Sequence, residues 1–318
     1  MVLNYNGRDL LETLLPSLAA QSYRDVEVVV VDDCSTDESR EYVEQNWPQF
    51  RILPTGPRNL GVSAAFNFAV ASADCELVAL LNNDIELDPE WLARLVGAID
   101  RHPRAGAVTG KTLNYWRRAE LDGAGDVFTF AGTAHRRGIG SDDRGQFDVE
   151  EEVFAVSAGA ALYRASALKD VGPFDESFIA YLEDVDWGLR AQLAGYRAWY
   201  VPAAVAYHMG GATTGGEASD LYYGLLRRNT IAILVKDVPA GFLVRHLHHV
   251  LWHHATALLA SARSHRLRVH LRAWGSAARH MRPWLAARKR TFAARRIDLR
   301  DFERFATSRR QIRLRGGS

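Results

Sequence analysis

Two short apolar runs end in polar clusters, and this pattern constrains the fold more than any other feature of the sequence. Val26-Glu27-Val28-Val29-Val30-Val31 is rich in β-branched residues and is closed by Asp32-Asp33. Leu77-Val78-Ala79-Leu80-Leu81 is closed by Asn82-Asn83-Asp84. Continuous runs of this kind read as parallel strands buried on both faces. Helical segments alternate with them. Leu10 to Leu18 carries leucine at helical spacing, Asp37 to Glu44 follows a Ser35 or Thr36 cap, and Val62 to Ser72 is apolar. Pro89 opens a helix over Glu90 to Arg101, a position where a missing N–H costs nothing. This order predicts an α/β fold, a mostly parallel sheet flanked by helices. Ligands of such sheets bind beyond the carboxyl ends of the strands, where both clusters fall.

The later chain changes character. Lys111 to Glu152 is rich in Gly, Arg and Asp and reads as loops and short strands. A strand is expected over Val153 to Tyr163, a helix over Glu183 to Ala194, and a strand over Tyr196 to Val201 that stops at Pro202. From Leu221 the chain reads as helical and basic. Net charge is +1, yet Lys236 onward holds 19 Lys and Arg against 4 Asp and Glu, leaving 20 bases and 34 acids before it. We therefore expect an acidic domain over 1–235 and a basic helical region over 236–318, with different partners. The two cysteines, Cys34 and Cys75, read as buried small residues of a protein in a reducing compartment. No leader is evident and no apolar run approaches the ~18 residues of a membrane span.

Three clusters carry candidate chemistry. Asp32-Asp33-Cys34-Ser35-Thr36-Asp37 could accept from a nucleobase or ribose, or simply cap a helix. Asn82-Asn83-Asp84 offers hard oxygen ligands of the sort that hold Mg²⁺ or Mn²⁺ beside substrate phosphates, or forms a polar turn. Glu183-Asp184-Val185-Asp186-Trp187 crowds three acids at a helix start, which favours the helix dipole and should raise at least one pKa, as a general base requires. His208 is either structural or a metal ligand.

Taken in order, further segments join these: Asn4-Tyr5-Asn6-Gly7, Asn59-Leu60-Gly61, Gly172-Pro173-Phe174-Asp175-Glu176, Gly195-Tyr196-Arg197, Val201-Pro202, and Arg228-Asn229 before Lys236. This set, spread over roughly the first 235 residues, resembles the inverting GT-A glycosyltransferases of family 2, in particular the rhamnosyltransferase-like branch. The resemblance implies a Rossmann-like GT-A domain that moves a sugar from a nucleoside-diphosphate-sugar to a hydroxyl. Tyr5 and Asp33, with Asp32, would bind the nucleoside; Arg58, Asn59, Asn82 and Asn83 would lie by the diphosphate or donor sugar. Asp84, with His208, would hold a divalent metal. Asp184 would be the base, with Glu183, Asp186 and Trp187 on the acceptor side.

The sequence departs from that family at several points. Asn82 stands where the DxD motif has its first acid, and Ala64, Ala65 and Phe66 stand where glycines are usual. Only Met1-Val2-Leu3 precedes the Asn-Tyr-Asn segment, so the start reads as trimmed or assigned late. The resemblance suggests a dTDP- or UDP-sugar donor, rhamnose among the sugars, and a saccharide or lipid-linked acceptor in cell-surface polysaccharide synthesis. The basic tail reads either as amphipathic helices on an anionic membrane face, with Trp252, Trp274 and Trp284 at the interface, or as a subdomain packed on the catalytic domain. The expected location is cytoplasmic, at the inner face of the membrane. No nucleic-acid motif is present. A nucleotidyltransferase lacks support because no basic glycine-rich phosphate loop opens the chain; a non-catalytic binding relative would not need Asp84, Asp184 and His208.

Overall fold

The computed structural model describes residues 1–210, 219–304 and 306–307. The amino half is parallel: β1 (Val2–Asn4), β2 (Val29–Asp32), β3 (Arg51–Pro54) and β4 (Leu77–Asn82) lie in the order β4-β1-β2-β3. Helices α1 (Arg8–Ala19), α2 (Ser39–Asn46) and α3 (Val62–Ala71) connect them, and their apolar residues pack on the sheet. The register sets Asn4 beside Asp32, and Leu3 beside Asn82. The predicted polar clusters therefore share one rim.

The sheet continues in mixed sense. A short β5 (Ile85–Leu87) and helix α4 (Trp91–Arg101) lead to β6 (Ala105–Asn114). Short strands follow: β7 (Leu121–Gly123), β8 (Asp126–Thr129), β9 (Ala134–Arg136) and β10 (Glu151–Val153). Antiparallel β11 (Ala160–Arg164) sits between β4 and β6, and after α5 (Ala165–Val171) and α6 (Glu183–Leu193), β12 (Arg197–His208) runs parallel to β6. Three details correct the sequence reading. Pro202 does not end β12: the register shifts between Val201 and Val205, and the strand runs on to His208. Gly110 permits this, because a Cβ there would lie 1.8 Å from the Ala204 carbonyl oxygen. Helix α2 is not capped by Ser35 or Thr36; it starts after Glu38 in a left-handed conformation, with Asp37 accepting from the Ser39 N–H. Cys34 is half-buried and Cys75 exposed, not buried.

The basic region is helical as expected: α7 (Asp220–Lys236), α8 (Ala240–Arg245), α9 (Leu247–Arg263), α10 (Leu267–Ala293) and α11 (Leu299–Glu303). It shares a core with the preceding residues. Phe242, Trp284 and Phe302 form one cluster with Phe128, Phe154 and Val185. Trp284 is buried rather than poised at an interface, and residues 308–318 of the expected tail lie outside the described residues.

Candidate active site

A cleft of about 890 Å³ opens on the rim where the parallel strands end. Tyr5, Asp33, Asn59, Asn82, Asn83 and Asp84 line it from the amino-half side of the chain; Asp122, Asp126, Arg136, Glu183, Asp184 and His208 line it from the later side of the chain, where His208 closes onto Asp84. Sequence reasoning singled out residues on both sides, and the fold brings most of them together.

On the first side the carboxylates differ. Asp32 is buried, accepting from Arg40 Nε at 2.5 Å, the Ser35 N–H at 3.3 Å and Asn4 Nδ2 at 3.4 Å, and it does not reach the cleft. Its oxygens are committed to the protein, which removes it from the donor set. Asp33 lines the cleft, held by Thr55 Oγ1 (2.8 Å) and by the Leu60 and Gly61 N–H groups (2.9 and 3.1 Å). A carboxylate has about four lone-pair sites, so Asp33 fixes the loop at Asn59–Gly61 and keeps little capacity beyond that. Asn59 Nδ2 donates back to the Asp33 carbonyl at 3.2 Å. Arg58 is exposed and outside the cleft. Tyr5, 37% exposed, presents its ring at the opening. Asn83 donates to Asn4 Oδ1 at 2.8 Å and occupies the space a Gly7 side chain would need. Asn82 likewise lies where a Cβ on Gly159 would be, 3.0 Å from its amide nitrogen.

Asp84 and His208 are joined by backbone pairing. His208 on β12 faces Ile85 on β5, and the Met209 N–H donates to the Asp84 carbonyl. The extension of β12 beyond Pro202 is what delivers His208. Its Nε2 is 3.3 Å from Asp84 Oδ2 and its Nδ1 3.0 Å from Asp122 Oδ2. Burial alone would lower the imidazole pKa; the hydrogen bonds to Asp122 and Asp84 outweigh it and raise it to about 9. Asp84 Oδ1 is buried without a hydrogen-bond partner. An orphaned carboxylate oxygen beside an imidazole suits a cation. Among the described residues, no three acid, histidine or cysteine side chains already form a cage. That fits an ion drawing its remaining ligands from phosphates and water.

The acidic side is built from α6 and β8. Asp184 Oδ2 accepts from the Ala158 N–H at 3.2 Å and Oδ1 from the Val185 N–H at 2.8 Å. Burial raises its pKa, opposed by those two N–H groups and by Arg136. Glu183, with Oε2 buried and unpartnered, is pushed up to about 8 by burial and then by the Asp184 charge. Asp126 is pushed up to about 7 by the same two causes. Asp186 and Trp187 do not join them. Asp186 is fully buried, ion-paired with Lys236 and Arg190, and Trp187 packs edge-on against Tyr163 in the core. Their partners, not their helical phase, keep them out of the cleft lining: as i+3 and i+4 neighbours they lie on the same side of α6 as Glu183.

Asp122, Asp126 and Arg136 were missed by sequence reasoning. They lie in the Gly-rich stretch read as loops, and the signal was the spacing Asp122-Gly-Ala-Gly-Asp126: Asp126 of β8 pairs with Arg136 of β9, and Asp122 of β7 meets the Arg136 guanidinium at 2.8 Å.

The sequence model described as Glycosyl transferase family 2 matches residues 1–172. The N-acetylglucosaminyl-diphospho-decaprenol L-rhamnosyltransferase of Mycobacterium tuberculosis (strain ATCC 25618 / H37Rv) is 31% identical over 236 residues, covering 68% of this chain and 76% of that one. Among solved structures, S. aureus TarS 1-349 in complex with UDP-GlcNAc matches with a TM-score of 0.58 at 20% identity, over 92% of this chain and 82% of that one. The mannosyltransferase PcManGT from Pyrobaculum calidifontis, in complex with GDP-Man and Mn2+, matches at 0.56 and 21% identity, over 92% and 84%.

Proposed function

The chain belongs to glycosyl transferase family 2 and is a glycosyltransferase; from that premise we propose that it inverts the anomeric centre of a nucleoside-diphosphate-sugar, using Asp184 as base. The observation that carries this reading is the cleft itself. It brings Asp184, whose pKa burial raises, into the same cleft as Asp33, Asn59 and Asp84, with Glu183 and Asp126 also raised there. Tyr5 stacks on the nucleobase, and the loop fixed by Asp33 holds the ribose and diphosphate. Asp84, and His208 once its ring has given up its proton, would hold a divalent ion, Mg²⁺ or Mn²⁺, which would supply positive charge towards the diphosphate. Asp184 takes the proton of an acceptor hydroxyl as its oxygen bonds the anomeric carbon, and the bond to the diphosphate breaks on the other face. Burial raises the Asp184 pKa, and the Ala158 and Val185 N–H groups, then Arg136, oppose that rise.

The name of the mycobacterial relative supports rhamnose as the sugar and a lipid-linked saccharide as the acceptor, and the UDP-GlcNAc complex of TarS supports a UDP-sugar as one donor class beside a dTDP-sugar, in cell-surface polysaccharide synthesis. A lipid-linked acceptor requires contact with a bilayer. No helix among the described residues is long and apolar enough to cross one. Helix α9 offers a peripheral contact instead: Leu247, Leu251, Trp252 and Leu259 face outward with Val244 of α8, while His253 lines the cleft. Residues 238–297 contain no Asp or Glu, so the face would meet anionic headgroups without repulsion.

The test is a panel of UDP- and dTDP-sugars incubated with Mn²⁺ and a lipid-diphosphate-saccharide acceptor, reading nucleoside diphosphate release and product anomeric configuration. Wild type should release nucleotide from at least one donor and give the inverted linkage. Asp184→Asn should lower kcat by about 10²–10⁴-fold while donor binding persists. Release from no donor, or a retained configuration, would refute the reading.

A further inference from the structure

The residues that lead into the two cleft carboxylates adopt an unusual path. Ile179 has φ 66° and ψ −64°, and the Ala180 N–H donates to the Phe178 carbonyl at 2.7 Å. This is the strained, positive-φ form of γ-turn. Tyr181 and Leu182 follow at φ 67° and 66°, and Glu183 then opens α6. A β-branched residue at positive φ is a steric outlier, and such residues persist only where their surroundings over-determine them.

What over-determines them is one side chain. Asn229 of α7 is fully buried, and its Nδ2 donates to the carbonyls of Phe178 (3.1 Å), Ala180 (2.9 Å) and Tyr181 (2.8 Å). Arg228 Nη1 donates to Asn229 Oδ1 at 2.8 Å. A guanidinium cannot accept, so the amide oxygen must face Arg228 and the amide nitrogen must face the carbonyls. Arg228 itself lies 5.3 Å over the Trp284 ring of α10, and Trp284 Nε1 donates to Ser177 Oγ at 3.1 Å. The far side of the turn touches the donor rim: the Ile179 carbonyl accepts from the Ser63 N–H at 3.4 Å and abuts Gly61.

We infer that Asn229 is a positioning residue for sugar transfer: its amide clamps the 178–182 turn, and thereby sets the distance between the donor loop at Gly61–Ser63 and the base at Asp184. The inference rests on the proposed role of Asp184, but the clamp itself is a structural statement that can be read without turnover. Near-attack alignment is steep in distance, a misplacement of ~1 Å costing on the order of 10²-fold. Loss of the clamp therefore acts on transfer, while the nucleotide site, held by Asp33, stays intact.

The experiment compares Asn229→Asp, Asn229→Ala and Ile233→Val. The aspartate is nearly isosteric but sets an acceptor against three carbonyls. Ile233 lies on the same helix and in the same core cluster as Phe178, and its loss of one methyl leaves the Asn229 amide bonds in place, so its variant controls for destabilisation of that packing. Hydrogen–deuterium exchange of the unliganded protein should quicken over residues 178–186 in both Asn229 variants and not in Ile233→Val. With the active donor from the panel, kcat should fall about 10–100-fold while the KM for donor changes less than about threefold. Exchange over 178–186 equal to that of Ile233→Val would overturn the clamp, whatever the enzyme's donor. Quickened exchange with unchanged kcat would overturn its role in transfer. Failure of wild type to turn over any donor would sink the functional reading alone. If both Asn229 variants lose the folded circular dichroism signal, Arg228→Met decides by the same two readouts, since it leaves the amide in place and removes its orienting donor.

Discussion

Carboxylates on one turn of α6 are driven in opposite directions by their surroundings. Glu183 is raised to about 8 by burial and the neighbouring Asp184 charge, whereas Asp186 is lowered to about 2 because Lys236 and Arg190 outweigh its burial. The consequence for stability can be signed. Unfolded, Glu183 titrates near ~4.3; folded, it stays protonated until about 8. Its stabilising contribution is therefore full below pH ~4.3 and is lost as pH rises towards 8. Glu183→Gln, which cannot ionise in either state, removes that slope. Melting of the unliganded variant should match wild type near pH 4.5 and exceed it by a few degrees at pH 8, at ~2–4 °C per kcal/mol. The same gain at both pH values would show that ionisation is not responsible. Arg136 acts on Asp184 in the other sense: it lowers the pKa that burial raises. Arg136→Gln should shift the acidic limb of the kcat–pH profile upward, because fewer base carboxylates are then ionised at a given pH. A limb that stays in place or moves downward would assign it to another group.

Among the elements, what was legible in the sequence follows from how far each signal reaches. The ends of β2 and β4 were legible because an apolar run closing in acids and amides is a local pattern, and it located Asp33 and Asp84. The dismissal of Asp32 was not legible, since Arg40 reaches it only after α2 has turned back. Nor was the course of β12, where Pro202 reads as a stop but a bulge against Gly110 carries the strand on to His208. The tryptophans of the basic region show the same limit. Trp252 is 72% exposed while Trp284 is buried, and no helical periodicity distinguishes them until the partner helix is known. The outward α9 face yields a prediction of its own. Wild type should sediment with vesicles containing anionic lipid and much less with zwitterionic ones, and Leu251→Glu with Trp252→Glu should reduce sedimentation at least about tenfold while melting is unchanged. Sedimentation unaffected by the double substitution would remove α9 from the contact; a shift from dimer to monomer on substitution would mark the face as an interface between copies.

Across the molecule, the opposed charges of the body and the basic region are spent partly on each other. Arg296 pairs with Asp170, Arg304 with Glu152, and Lys236 is buried between Asp175 and Asp186. The exposed arginine pairs are each worth ~0–1 kcal/mol, and the desolvation of Lys236 and Asp186 offsets much of the attraction in the buried pair, so charge alone would not hold the two parts together. The apolar contacts decide the matter. Phe242, Trp284 and Phe302 are buried to within 2% against residues of β8, the Phe154 segment and α6, and each such side chain is worth ~1.5–3 kcal/mol. The sum is comparable with the ~5–15 kcal/mol net stability of a whole domain. Ending the chain after Asp237 would also expose the faces of Phe128, Phe154 and Val185 and free Arg228 from Trp284. We therefore expect the truncated chain to aggregate or to melt without a cooperative transition, as read by size-exclusion chromatography and a thermal circular dichroism scan. A monomer with a sharp melt would mean that residues 1–237 form a separable domain. The same scan made with a nucleoside diphosphate and Mn²⁺ separates two causes of lost activity. A truncated chain that stays folded and is still stabilised by nucleotide, but transfers no sugar, has kept its donor rim and lost Trp284, which braces Arg228 and Ser177 beside the turn before Asp184.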